Sequence, residues 1–384
     1  MGRLTPAAAE PSHGREPAPA RLRRVLAFDR TKVDWRRALL LMAGLAALLA
    51  VVVGLGAWQY ALSALFGALF AVIADPGGAF AVRVKRLGLF ALVGAAGTAL
   101  GFALGDTFWV WPVVSVFAVT LAAGLAVHWG LHRFAAALLQ NVWYVIALSL
   151  PAWYASSNVD SRIWLQAVAW LAGVSVWVVI VWVSWLAHGR TDRPPWIPQI
   201  PADVSRHALT GPIVVFALAR AVALALTVGL AWGFDLENGV WMVLAAIVAM
   251  KPSLQQATRY ATQRLAGALI GAVVAAGLLY TLDVKWALAV VAVVLFTVAG
   301  AIRMAGYAWY CAAIAAGVLV LGSLPHPEDL AFEGERVVYT LAGVTIALLI
   351  LGLAHLLGKV AGGQRSSGAA AQAGDAGAGQ TGGS

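Results

Sequence analysis

Ile163-Trp-Leu-Gln-Ala-Val-Ala-Trp-Leu-Ala-Gly-Val-Ser-Val-Trp-Val-Val-Ile-Val-Trp-Val-Ser-Trp-Leu-Ala187 runs for 25 residues without a charged side chain. As an α-helix it reaches roughly 37 Å, more than the ~30 Å hydrocarbon core of a bilayer. The rest of the chain repeats that signal. Of 384 residues, 61% are hydrophobic and 11% are charged, against roughly 25% charged in a soluble domain. A soluble globule needs a hydrated skin that so few polar groups cannot supply. The surplus apolar surface faces lipid.

The sequence therefore reads as an all-α membrane protein of about twelve transmembrane helices, near 38–57, 60–74, 87–105, 108–128, 134–152, 163–187, 212–233, 239–250, 265–282, 286–302, 305–324 and 337–357. Loop charges test this independently, because Lys and Arg stay on the cytoplasmic side. With the N-terminus inside, the inner segments beyond Arg37 hold thirteen Lys/Arg and the outer loops three, Arg162, Lys285 and Arg336. A shift of one span would invert this bias, so both termini are expected in the cytoplasm. Most of the 17 tryptophans fall at predicted span ends, where an amphipathic ring suits the headgroup level. Trp143, Trp170, Trp177 and Trp309 lie deeper and are candidates to line a cavity.

Residues 1–34 are rich in Pro, Ala and Arg and read as a disordered basic tail. They lack an apolar run followed by a cleavage site, so the span opening near Ala38 is expected to act as an uncleaved anchor. Six spans follow in 35–187, a short cytoplasmic linker in 188–211, six more in 212–361, and a Gly/Ala-rich disordered tail in 362–384.

The halves resemble each other. Tyr60–Asp106 reads as a short apolar helix, Asp75-Pro76, a basic stretch with Arg83 and Arg86, and a Gly/Ala-rich helix. Gly239–Asp283 reads as a short apolar helix, Lys251-Pro252, a basic stretch with Arg259 and Arg264, and a Gly/Ala-rich helix. Arg37, opening the first span, is matched with Arg220 in the seventh. Six spans per half make these parallel repeats about a pseudo-twofold axis along the membrane normal, with an interface between them. The second helix of each half reaches only roughly 22 Å and 18 Å, and each ends at a charged residue next to proline. Paired short, Pro-interrupted segments mark a transporter's substrate site; a tilted helix ended by proline is the plainer alternative.

Ser253, Gln255, Gln256, Arg259 and Gln263 form a polar face of an expected interfacial amphipathic helix. Lys251, Arg259 and Arg264 suit either an organic anion at the inner mouth or anionic lipid headgroups. Arg220 is the one full charge placed inside a span, where a charge costs at least about 2.5–3.5 kcal/mol. Gln140, Tyr144, Gln166, Tyr307 and Tyr310 are candidates to line a cavity or to bond neighbouring helices. No carboxylate lies well inside a span; Asp75, at a span end, is the candidate coupling group. There is no P-loop, no HExxH and no acidic cluster at metal spacing, so neither an enzyme nor a bound metal or cofactor is expected. The single cysteine, Cys311, reads as a packing residue.

Residues 220–283 carry a resemblance. Arg220, Trp241, Lys251-Pro252-Ser253, Arg259, Gln263-Arg264-Leu265, Gly267 and Gly271 follow, in order, the pattern of the fusaric-acid-resistance-like (FUSC) integral membrane transporter family. In the first half Asp75-Pro76-Gly77 and Arg86-Leu87 follow it more diffusely. The resemblance implies efflux of small, often aromatic, carboxylic acids or xenobiotics from the inner membrane. It also implies kinship with plant channels that pass organic anions. Larger members carry a cytoplasmic domain that the 188–211 linker is too short to hold.

The expectation is thus a secondary or passive exporter of small organic anions. Its cation-rimmed crevice would open inward between two tandem bundles, in contact with lipid and not nucleic acid, and a homo-oligomer is compatible with it. A non-transporting scaffold or accessory protein of cell-envelope assembly is the alternative.

Overall fold

The computed structural model describes residues 25–156, 161–192, 208–236, 238–250, 254–282, 284–322, 338–354 and 356. Among them lie twelve α-helices and no strand: α1 Trp35–Gly54, α2 Ala61–Ala74, α3 Phe80–Leu104, α4 Val110–Leu125, α5 Leu131–Ser156, α6 Ile163–Ala187, α7 Gly211–Gly233, α8 Val240–Ala249, α9 Leu254–Thr281, α10 Lys285–Ile302, α11 Tyr307–Gly322 and α12 Val338–Ala354. Six are long and apolar enough to cross a membrane, namely α3 to α7 and the Thr262–Thr281 part of α9. The others are shorter, and α8 has only ten residues.

Several expected boundaries move. The basic stretches before the third and ninth spans are not separate elements. Arg83 and Arg86 lie in the opening turns of α3, and Arg259 and Arg264 in those of α9. The interfacial amphipathic helix expected around Arg259 is instead the start of one 28-residue helix. Residues 25–34, read from composition as tail, form a 3-10 turn at Arg30–Lys32 and lie along the α10–α11 turn. The Val25 and Leu26 carbonyls accept there from Gln263 and Trp309, a backbone docking that composition does not reveal. Residues 1–24, most of the linker, Lys251-Pro252-Ser253, the loop at 323–337 and the C-terminal tail lie outside the described residues.

Small residues set how closely the helices approach. A Cβ on Gly173 of α6 would overlap the Ala64 carbonyl of α2, and one on Gly67 of α2 would come within 2.5 Å of the Trp170 carbonyl of α6. On α9, Cβ atoms at Gly267 and Gly271 would lie 2.5 Å from side-chain atoms of Cys311 and Ala315 on α11. Gly101 of α3 and Gly105, which caps it, lie against α5, and Gly343 of α12 against Met242 of α8. In lipid, where no hydrophobic effect draws helices together, such backbone approach supplies the packing energy. The Gly-rich α3 and α9 pack inside their own halves, not across the interface between them.

Two main pairings join the halves, with a smaller contact of α5 on α8 beside them. Helix α4 packs along α7, and α1 packs on α10. Around α4–α7 a buried core draws on α4, α5, α7, α8 and α12. A second core fills α2, α3, α5 and α6, with Trp143 stacked on Trp170 at 4.7 Å between centroids.

Candidate functional site

Each short helix stops where the chain turns extended before proline. Asp75, at the end of α2, has φ −62° and ψ 116°, because the ring of Pro76 disfavours the helical region for the residue before it. Helix α8 stops at Met250 with ψ 111°, and Lys251-Pro252 follow outside the described residues.

At the first corner the side chains close on one another. Asp75 has a side chain 2% exposed. Its Oδ1 accepts from Arg83 Nε at 2.9 Å and from the Gly77 amide at 3.0 Å. Its Oδ2 accepts from Trp177 Nε1 at 3.0 Å and from Arg83 Nη2. Four donors fill the acceptor capacity of a carboxylate, and the bidentate fork holds it in one orientation. Asp75 therefore ties α2, α3 and α6 together, and Arg83 is engaged in the same knot. His132, at the start of α5, is buried nearby, with Arg86, Asp75 and the Ala74 carbonyl as polar neighbours.

The centre of the molecule is different. Gly124 of α4 faces Ala217 of α7, with a Cβ on the glycine 2.7 Å from that of the alanine, while Gly229 faces Val113 at 3.6 Å. The two helices are therefore antiparallel. Counting along both from these contacts brings Arg220 within one or two residues of Thr120 and Thr227 level with Ser115. Arg220 is the tenth residue of α7 and 1% exposed. It donates from Nη2 to the Ile247 carbonyl of α8 at 3.2 Å, and its Nε and Nη1 have no partner. Among the described residues no carboxylate pairs with it. Thr120 is buried and donates to Asn141 Oδ1 at 3.2 Å, leaving the Asn141 amide nitrogen unbonded. One turn further along α5, the buried Tyr144 hydroxyl has Ser115 as its polar neighbour but makes no hydrogen bond of good geometry. A polar seam thus runs through the contact between halves, with donors to spare and a full positive charge.

This seam is packed solid. The opposite contact holds a narrow crevice lined by Ala38 and Leu41 of α1, Leu69, Val72 and Ile73 of α2, Phe296 and Gly300 of α10, Arg303 in the following turn, and Tyr310 and Ile314 of α11. Arg303 has Tyr307 and Tyr310 as neighbours, and these two rings lie 6.1 Å apart. Arg264 of α9 is near enough for its charge to act on the same two tyrosines. Residues 25–34 cross here: the Asp29 amide donates to the Ala305 carbonyl at 2.8 Å, Asp34 to Ala301 at 3.0 Å, and Trp309 Nε1 to Leu26 at 3.1 Å.

The remaining candidates scatter. Gln140 donates to the Phe90 carbonyl at 2.8 Å. Gln166 accepts from Ser63 at 2.5 Å and donates to the Gln59 carbonyl at 3.0 Å, so both amides join helices rather than line a cavity. Trp143 and Trp170 are core residues, Trp177 holds Asp75, and Trp309 holds the N-terminal segment. Arg37 is the third residue of α1, several residues shallower in its helix than Arg220 is in α7. The offset that maps Asp75-Pro76 onto Lys251-Pro252 pairs Arg220 with Gly44 instead. Lys251 lies outside the described residues, and of Arg259 only the helical backbone is described. Sequence reading missed Arg303, which it left in a loop, and the partners of Asp75. Among the described residues no three His, Cys, Asp or Glu side chains gather as a metal site.

The chain is a multi-pass helical membrane protein with a charged seam in its middle. Residues 221–350 match the family model described as Fusaric acid resistance protein-like. The region from α7 into α12 is therefore fusaric acid resistance protein-like, and Arg220 stands immediately before it. No curated protein and no solved structure matches the chain.

Proposed function

We propose that the protein is an inner-membrane exporter of small organic anions, aromatic carboxylates foremost, built as twelve spans in two parallel repeats with both termini cytoplasmic. Helix pairing supports the repeat. Helix α3 packs on α5 as α9 packs on α11, α2 lies on α6 as α8 on α12, and α4–α7 answers α10–α1. Each correspondence is a shift of six helices.

The observation that carries the transport reading is Arg220. A guanidinium buried at mid-helix with two nitrogens unbonded is a standing cost. An anionic ligand that reaches it supplies the missing partner, and its planar fork suits a carboxylate. The polar seam of Thr120, Asn141, Tyr144 and Thr227 supplies further donors along the same contact.

The test is anion flux in proteoliposomes of the purified protein, with and without a pH gradient. Wild-type protein moves an aromatic carboxylate and Arg220→Met does not, while both elute as folded particles. Absence of flux in wild-type protein, with a stably co-purifying partner, would favour an envelope scaffold instead.

A further inference from the structure

The segment that leads into α1 of the first half is held by helices of the second. The Asp29 amide donates to the Ala305 carbonyl at 2.8 Å and the Asp34 amide to the Ala301 carbonyl at 3.0 Å. From α9, Gln263 Nε2 donates to the Val25 carbonyl at 3.4 Å, and from α11, Trp309 Nε1 donates to the Leu26 carbonyl at 3.1 Å. We propose that residues 25–34 are an autoinhibitory strap. Docked, it holds α1 against α10 and keeps the halves from parting; released, it lets them move. In that role the strap presupposes the transport reading, to which it adds a regulatory contact.

Local chemistry gives the strap its shape. Asp29 Oδ1 accepts from the Thr31 amide at 3.1 Å and from the Thr31 hydroxyl at 2.6 Å, and Oδ2 pairs with Lys32 at 3.0 Å. These bonds fold the chain into the 3-10 turn Arg30–Lys32, with the two donating amides on either side of it. Ala301 stands in the last turn of α10, where carbonyls have no partner within the helix, so the strap supplies what the helix end lacks. Gly306 permits the close approach: a Cβ there would lie 2.9 Å from the Ala27 carbonyl and 3.2 Å from the Phe28 ring.

Two observations make the strap releasable rather than fixed. The four bonds that dock it all end on backbone groups of one side or the other, which water can satisfy, and Ala27, Phe28, Arg30, Thr31 and Lys32 are exposed. A unit with few buried apolar contacts opens locally while the rest of the molecule stays folded. What it spans, moreover, is the looser contact between halves. Gly300 meets Leu41 and Ala38 only at 3.7 and 3.9 Å, with the crevice beside them, whereas Gly124 and Ala217 across the other contact are in close apposition. A strap over the tight contact would add little; over the loose one it decides whether the helices part.

The experiment uses the full chain in nanodiscs, with Cys311→Ala and Gly300→Cys leaving one thiol between α1 and α10. Gly306→Ala drives a methyl into the strap; Gln263→Leu with Trp309→Phe, a second route, removes two of its bonds. Three readouts are taken: hydrogen exchange of the peptide carrying Asp29 and Asp34, the rate at which N-ethylmaleimide labels the thiol at 300, and aromatic carboxylate flux in proteoliposomes without the thiol substitution. Exchange is expected to rise about tenfold or more in both variants, with faster labelling and faster flux. Protection already absent in wild-type protein, or unchanged in both variants, overturns the docking. Unchanged labelling, or slower flux, in a variant whose strap is freed overturns the autoinhibition. Faster labelling in a protein that shows no flux in any form supports the strap as a clamp on the halves and refutes transport. Flux equal in wild type and freed variants refutes the strap's role and leaves transport standing.

Discussion

Replacing Arg220 by methionine separates fold from function, because the two move in opposite directions. Methionine has a similar length and no charge, and the site is lined by the apolar side chains of α4, α5, α7, α8 and α12. A charge at the centre of a span costs at least about 2.5–3.5 kcal/mol, and one hydrogen bond from a charged donor gives back about 1.5–3 kcal/mol. Arg220 makes one such bond, to Ile247, so Arg220→Met should be stabilising by about 0–2 kcal/mol, a Tm rise of at most about 5 °C. Melting of the purified protein followed by tryptophan fluorescence reads the first effect, and carboxylate flux in proteoliposomes reads the second, expected to fall to the empty-liposome background. Arg220→Lys keeps the charge, loses the planar fork and should retain a fraction of the flux. A fall of several degrees in Arg220→Met would refute the reasoning, since it would mean that the guanidinium has structural partners worth more than its burial costs.

Other outcomes follow from the same geometry. Asp75→Asn leaves Arg83 beside a neutral group; with Arg83 24% exposed the expected loss is about 2 kcal/mol, less than for a fully buried pair, and adding Arg83→Met should recover most of it in the same melting assay. Gly173→Ala drives a methyl into the Ala64 carbonyl and should cost about 1–3 kcal/mol, whereas Gly88→Ala, which meets open space, should gain about 0.5–1 kcal/mol. Asp29 is held below its ordinary pKa by hydrogen bonds from Thr31 and then by Lys32. Its contribution to the docked N-terminal segment is therefore complete above pH 4 and lost as pH falls below it, read as a change in fluorescence sensitive to Trp309; a transition near pH 6 would contradict it. Tyr144→Phe removes a hydroxyl without a good hydrogen bond and should melt within about 1 kcal/mol of wild type.

Particular residues show what the sequence could and could not tell. The helical elements were legible because each is an apolar run, although among the described residues only six of them reach span length. The ends of the two short helices were legible from Pro76 and Pro252, whose effect on the preceding chain is local. Partnership was not. Asp75 reads as a lone carboxylate at a span end, yet Trp177, 102 residues away, and Arg83 fill it. Gln140 and Gln166 read alike, as amides in spans, and only the fold shows both spent on backbone carbonyls. Arg303 reads as one more inner-loop cation; its place in a crevice depends on α1 crossing α10, which no local pattern encodes. The N-terminal segment was masked by the arginines around it. Its docking rests on backbone groups, which every residue type presents equally.

The two contacts between halves differ in a way that assigns them different parts in any transport cycle. Along α4–α7 the small Gly124 and Ala217 let the backbones close, and Trp232 Nε1 locks the far end to the Gly105 carbonyl at 3.2 Å. Along α1–α10 the bulky Leu41 and Phe296 hold a gap open. If the protein transports as proposed, alternating access needs one half to move against the other around a fixed site, and the first contact would be the pivot and the second the moving face. Ala38→Cys with Gly300→Cys tests this, because the Cβ atoms would stand 3.9 Å apart, inside the ~3.5–4.5 Å that a disulfide spans. In a Cys311→Ala background, oxidation should abolish flux and dithiothreitol restore it, whereas a Val113→Cys and Gly229→Cys bridge across α4–α7 should leave flux intact. Full flux through a demonstrably cross-linked α1–α10 pair would show that these helices never part, and the moving face would have to be sought elsewhere.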